Sequence, residues 1–263
     1  MDDIVALPEF ADPPVLEVVV GIQFDRLQLL QTGHFGQFWE GIKEAFPTSQ
    51  DAPPLPDLNM TASLTIEVLS LPPLRRMMLI SSDNRYVIQV QDTRFHLNWR
   101  KTKDTDEYPR FNAIFERFKE YWGAFESFVR LAGLGSLKVK GYELTYVNHI
   151  DAAAPNFAAS VAKRVKVFRW EDAITEFLPE PVSLAASWHF KLPGDKGQLT
   201  AALSHARREK EKEDVVVLNM GCVGLASEAY TLDSWFGTAH EWIVRGFTDL
   251  TTEEAHRHWG RRS

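Results

Sequence analysis

PRFNAIFERFKEYWGAFESFVRL, residues 109–131, decides the fold. Phe111, Ile114, Phe115, Phe118, Trp122, Phe125, Phe128 and Val129 recur at three- and four-residue spacings. That period makes one apolar stripe on a helix. Pro109 suits a first helical turn, where its missing N–H loses nothing. Gly133 stands where a left-handed cap would end the helix. A stripe this aromatic needs a broad apolar surface to lie on, and a sheet is the simplest one.

Strand signals on either side supply that sheet. RYVIQVQDTRFHLNWRK (85–101) places Tyr86, Ile88 and Val90 on one parity, then Phe95, Leu97 and Trp99 on the other. Side chains alternate along a strand, so the change at Asp92-Thr93 implies a bulge or a break into two strands. SLKVKGYELTYVNHI (136–150) reads as a long strand, with Glu143, Thr145, Val147 and His149 on one face. Outward from these, VLEVVVGIQF (15–24) is a strand and GHFGQFWEGIKEAF (33–46) a helix. PTSQDAPPLPDLN (47–59) is a proline-rich connector, read as an exposed loop or a peptide-like arm. ASLTIEVLS (62–70) and RRMMLISS (75–82) are strands. In the second half FAASVAKRVKVF (157–168) is a weaker helix and WEDAITEFLPEP (170–181) is irregular. Strands follow at 181–192, 198–210 and 215–227, then a helix from Leu232 to Phe247. Thr251-x-x-Glu254 has the capping-box pattern for a short terminal helix.

The two halves share one grammar: strand, helix, three or four strands, long helix. The expected fold class is α+β, a duplicated β-α-β(3-4)-α unit. It forms a largely antiparallel curved sheet with helices on one face. In form this resembles TATA-box-binding-protein-like or effector-binding-like arrangements, an analogy of fold that carries no function. The expected organisation is an extended N-terminal segment (1–14), a first half (15–135), a second half (136–250) and a C-terminal helix and tail (251–263).

Of the 263 residues 44% are hydrophobic and 12% aromatic, enough for a substantial core. The formal net charge of -7 argues against a general nucleic-acid binder, so nucleic acid is not an expected partner. A single cysteine, Cys222, excludes an intrachain disulfide, and no metal or cofactor is expected. MDDIVALPEF does not read as a secretory signal, and no run approaches the roughly 20 apolar residues of a membrane span. The expected location is the cytoplasm. An unpaired edge strand admits a homodimer.

The usual catalytic signatures fail. His240-Glu241 begins HExxH, but position 244 is valine. No GxSxG occurs, and GLGSLK (133–138) is neither a Walker loop nor a dinucleotide fingerprint. Cys222 sits in an apolar strand, where a thiol is inert. Three surfaces are left as candidates. Glu143, Thr145 and His149 project together, either toward a polar ligand or as an ordinary wet strand surface. In FHLNWRK (95–101) Arg100 beside Trp99 suits a phosphate or carboxylate, or a plain polar outer face. Trp259 and Arg261, in the terminal HRHWGRRS, dock on a partner or on the body of the same chain.

PPVLEVVVGIQF, IQVQDTRFHLNWRK, EYPRFNAIFERF, ELTYVNHI and GFTDLTTEEAHRHWGR together resemble a sporadically distributed prokaryotic protein family of about 250 residues. That family has no established activity, so the resemblance implies a single architecture and no catalytic residues. Its patchy distribution associates it loosely with defence or toxin–antitoxin-type roles. The sequence thus points to a non-enzymatic binding protein for a partner protein or a small polar ligand. The candidate contacts are Trp99, Arg100, Glu143, Tyr146, His149, Trp259 and Arg261. The alternative is an enzyme using Glu143 and His149 as an acid–base pair.

Overall fold

The computed structural model describes residues 6–56, 74–151, 157–167, 183–208 and 213–262. The strand expected at 62–70 and the irregular stretch at 170–181 lie outside them. Nine strands and five α-helices are present among the described residues. In chain order they are β1 (Val15–Phe24), α1 (Thr32–Ile42), β2 (Thr48–Ala52), β3 (Arg76–Ile80), β4 (Tyr86–Gln91), β5 (Arg94–Arg100) and α2 (Phe111–Leu131). Then come β6 (Val139–Asp151), α3 (Phe157–Arg164), β7 (Ala185–Lys191), β8 (Gln198–Arg208), β9 (Glu213–Leu225), α4 (Leu232–Leu250) and α5 (Glu253–His258).

The fold is α+β, and the sheet is antiparallel, in the order β2-β3-β4-β5-β1-β6-β9-β8-β7. Each half obeys the same rule. Its first strand (β1 or β6) is central, its last strand (β5 or β9) pairs with it, and the earlier strands follow outward. The chain divides into two compact units. One comprises residues 18–143 and 223–230, the other 1–17, 144–222 and 231–263.

In the first of these units α2 covers one sheet face. Its buried residues are Phe111, Ile114, Phe115, Phe118, Trp122, Phe125 and Val129. Phe95 of β5 meets Phe118, Trp122 and Phe125 at ring distances of 6.1, 5.6 and 5.4 Å. Phe24 of β1 meets Trp122 and Phe125, and Phe38 of α1 closes on Phe125 at 5.3 Å. The helix ends as its sequence predicts. Gly133 takes φ 64, its N–H donates to Arg130 O, and the Leu134 N–H donates to Val129 O. That is a Schellman cap, with Leu134 and Val129 both buried as its apolar contact. The start differs. Pro109 is not in the first turn, because Arg110 intervenes as the N-cap at φ 71 and the helix opens on Phe111. The break at Asp92-Thr93 is real: β4 and β5 form a hairpin about it, with Gln91 opposite Arg94. The proline-rich connector contains β2, which pairs with β3 from Thr48–Ile80 to Ala52–Arg76.

In the second unit α4 buries Trp235, Phe236, Ala239, Ile243 and Phe247. Gly246 allows close approach, since a Cβ there would sit 3.2 Å from both Leu199 and Met220. The Cys222 thiol lies 3.7 Å from Ala239 O, and burial pushes its pKa up to about 12. The terminal cap is shifted by one residue from the pattern. Thr252, not Thr251, accepts the Ala255 N–H at 3.2 Å, and its own hydroxyl donates to Lys163 O. Thr251 is buried and donates its hydroxyl to Phe247 O. No helix among the described residues is long and apolar enough to cross a membrane.

Candidate functional site

The parity switch decides what each face of the β4–β5 hairpin carries. Tyr86, Ile88, Val90, Phe95, Leu97 and Trp99 go under α2 and are buried. The opposite face carries Gln89, Gln91, Arg94, His96 and Asn98, with Gln89 directly across from His96. These polar side chains are buried too, together with Gln23 and Thr93. Burying unpaired polar groups costs roughly 1–3 kcal/mol each in proteins, so they must bond to one another.

They do so as a network. Gln89 donates to Asn98 Oδ1 at 2.8 Å, and Arg76 of β3 donates to Gln89 Oε1 at 2.6 Å. Gln91 donates to Thr93 Oγ1 at 2.9 Å and to Leu55 O at 3.1 Å, and accepts the Leu55 N–H at 2.9 Å. Arg94 Nη1 reaches both Glu143 oxygens at 3.3 and 3.4 Å, while Nη2 donates to Pro56 O. His96 Nε2 lies against Glu143 Oε1. Gly21 of β1 makes room for this. A Cβ there would stand 2.5 Å from His96 Cδ2 and 2.7 Å from Glu143 Cγ.

The electrostatics are unbalanced. Burial acts to raise the Glu143 pKa, but His96 and Arg94, by charge and hydrogen bond, hold it below the ordinary value. Glu143 thus pairs with Arg94, while Arg76 forms no ion pair among the described residues. Burial, and then the charge of Arg94, lower the Arg76 pKa. Among the described residues the Nε atoms of Arg76 and Arg94 are buried without a hydrogen-bond partner. Arg94 itself is only 5% exposed.

Of the sequence candidates, Glu143 lies at the centre of this network. Trp99 is on the helix-covered face, packed on Tyr108 at 5.4 Å. Arg100 is half-buried at the hairpin end and donates to Asn84 O. Tyr146 is buried near His240 of α4, at a ring distance of 6.2 Å. His149 lies six positions beyond Glu143 on β6, about 20 Å along a strand, so the two do not form a pair. Trp259 is buried against Phe10 and Phe247. Arg261 sits at the C-terminal turn beside His256.

Arg76, Arg94, Gln89 and Gly21 were not singled out from sequence. Gln89, Gln91, Arg94, His96 and Asn98 were readable as one polar stripe once the hairpin is folded about Asp92-Thr93. Arg76 needed the β3 register, and Gly21 needed the side chains that cross it. Among the described residues no group of three or more His, Cys, Asp or Glu is placed to hold a metal.

No protein-family model and no curated protein matches the chain. Among solved structures it is similar to the TBP of Methanococcus jannaschii, with a TM-score of 0.26 and 10% identity. That match covers 90% of this chain and 98% of that one. A likeness this weak carries no functional weight.

Proposed function

We propose that this is a non-enzymatic binding protein whose polar sheet face takes a small ligand bearing a carboxylate. The observation that carries the reading is the guanidinium pair of buried Arg94 and half-buried Arg76, whose Nε donors are buried without a partner among the described residues, with one carboxylate, Glu143, held by Arg94. Arg76 and Arg94 bring two positive charges against the one carboxylate of Glu143, so the two arginines are short of one negative charge. A monoanionic carboxylate supplies that charge, and arginine forks match its geometry. Glu143 suits the part of a permanent counter-ion. Its pKa is held low, and its oxygens are occupied by Arg94 and His96. A general acid or base works best near the operating pH, which speaks against an acid–base role for Glu143.

The test is thermal denaturation and calorimetric titration with formate, acetate, succinate and citrate. A ligand that binds only the folded protein raises Tm with concentration, by about 2.7 kcal/mol of stability at a hundredfold excess over Kd. Arg76→Gln, at the edge of the cluster, is expected to weaken that binding about tenfold or more while the protein stays folded. Absence of any carboxylate-dependent shift at millimolar concentration, or equal affinity in Arg76→Gln, defeats the proposal.

A further inference from the structure

The C-terminal turn carries a second polar site, on residues unrelated to the first. Glu253, His256, Arg257, Gly260, Arg261 and Arg262 line a cavity of about 550 Å³. Small-molecule sites commonly span roughly 300–1,000 Å³. Its walls are fixed by backbone. Ala11 and Asp12 donate to Gly260 O and Trp259 O at 2.9 and 3.1 Å, and Arg262 donates to Glu9 O at 2.8 Å. Gly260, at φ 67, has no room for a Cβ, which would stand 2.9 Å from Ala11 Cβ.

A buried histidine orients one of the arginines. His256 is 1% exposed, and its Nε2 lies 2.8 Å from Thr251 Oγ1. The Thr251 proton is committed to Phe247 O at 2.6 Å. The Thr251 oxygen is therefore the acceptor, His256 carries its proton on Nε2, and Nδ1 is an acceptor. Arg261 Nη1 donates to that Nδ1 at 3.2 Å. Burial lowers the His256 pKa and favours this neutral form.

The charge count identifies the ligand class. Three guanidiniums line the cavity, and the one carboxylate, Glu253, is 3.8 Å from Arg261. Arg257 and Arg262 form no ion pair among the described residues. The excess of two positive charges is what a phosphate dianion neutralises and a single carboxylate does not. We propose that this cavity binds the phosphate of a small phosphorylated ligand, with Arg261 as the oriented donor and Arg257 and Arg262 completing the charge.

The test titrates inorganic phosphate and pyrophosphate into the full chain at low ionic strength, read by calorimetry and phosphorus NMR. Saturable binding is expected, with acetate far weaker. Arg261→Ala, and separately Arg257→Ala with Arg262→Ala, should each weaken it about tenfold or more. Arg261→Lys should weaken it too, since a lysine keeps the charge and loses the fork. Arg76→Gln should leave it unchanged, which separates this site from the carboxylate site. Binding that does not saturate, or an unchanged affinity in Arg261→Ala or Arg261→Lys, overturns the assignment.

Discussion

A single hydrogen atom in place of a side chain holds the polar cluster together. Gly21 lies under His96 and Glu143, and both would meet a Cβ at less than 3 Å. Gly21→Ala therefore has to displace the buried His96–Glu143 contact, whereas Gly221→Ala meets only Thr145 Oγ1 at 3.3 Å. Overpacking of this kind costs about 1–3 kcal/mol. The expected outcome in urea unfolding is a clear loss for Gly21→Ala and a much smaller one for Gly221→Ala. Carboxylate binding should fall with Gly21→Ala beyond what the stability loss explains. Equal midpoints for the two variants would mean that the pair moves aside freely. The sequence shows Gly21 only as a glycine on the outward parity of a strand. What it serves is visible only when β5 and β6 stand on either side of it.

At the scale of elements, α2 is the brace, and its aromatic stripe is why it was legible. Phe118 is fully buried between Phe95 and Phe115, so Phe118→Ala removes a ring that little can replace. A loss of about 3–5 kcal/mol is expected, measured as a lower urea midpoint, with the remaining folded fraction still binding its ligand. Selective loss of binding at normal stability would show that α2 has a direct role in the site. Strong periodicity made the helices and long strands readable. Elements set by pairing were not. TSQDA in β2 has few strand formers, yet it is a strand because β3 presents a free edge to it. Thr251 and Thr252 both fit a cap on composition. The choice between them is made by Lys163 O and Phe247 O, which the two hydroxyls reach from different sides.

Over the whole molecule, the parity rule that builds the core also strands polar groups inside it, and pH exposes the consequence. His240 faces Tyr146 from α4, and burial holds its pKa near 4, although neighbouring Glu241 pulls the other way. The unfolded chain takes up that proton near pH 6.5, and the folded chain does so only near 4. The contribution of His240 is thus complete above pH 6.5 and lost as the pH falls toward 4. At about 1.4 kcal/mol per pH unit, that interval amounts to roughly 3 kcal/mol. His256, lowered chiefly by burial, acts in the same direction. Glu143 follows at lower pH. Its folded pKa is depressed, so its stabilisation holds above the ordinary carboxylate range and fades as the pH drops through the folded value. Urea unfolding at pH 7.5, 6.5, 5.5 and 4.5 should show stability flat at the top and falling below 6.5. His240→Gln should remove most of that slope without abolishing the fall at lower pH. A profile that stays flat to pH 4.5, or one that His240→Gln leaves unchanged, would mean that His240 reaches water in the folded protein.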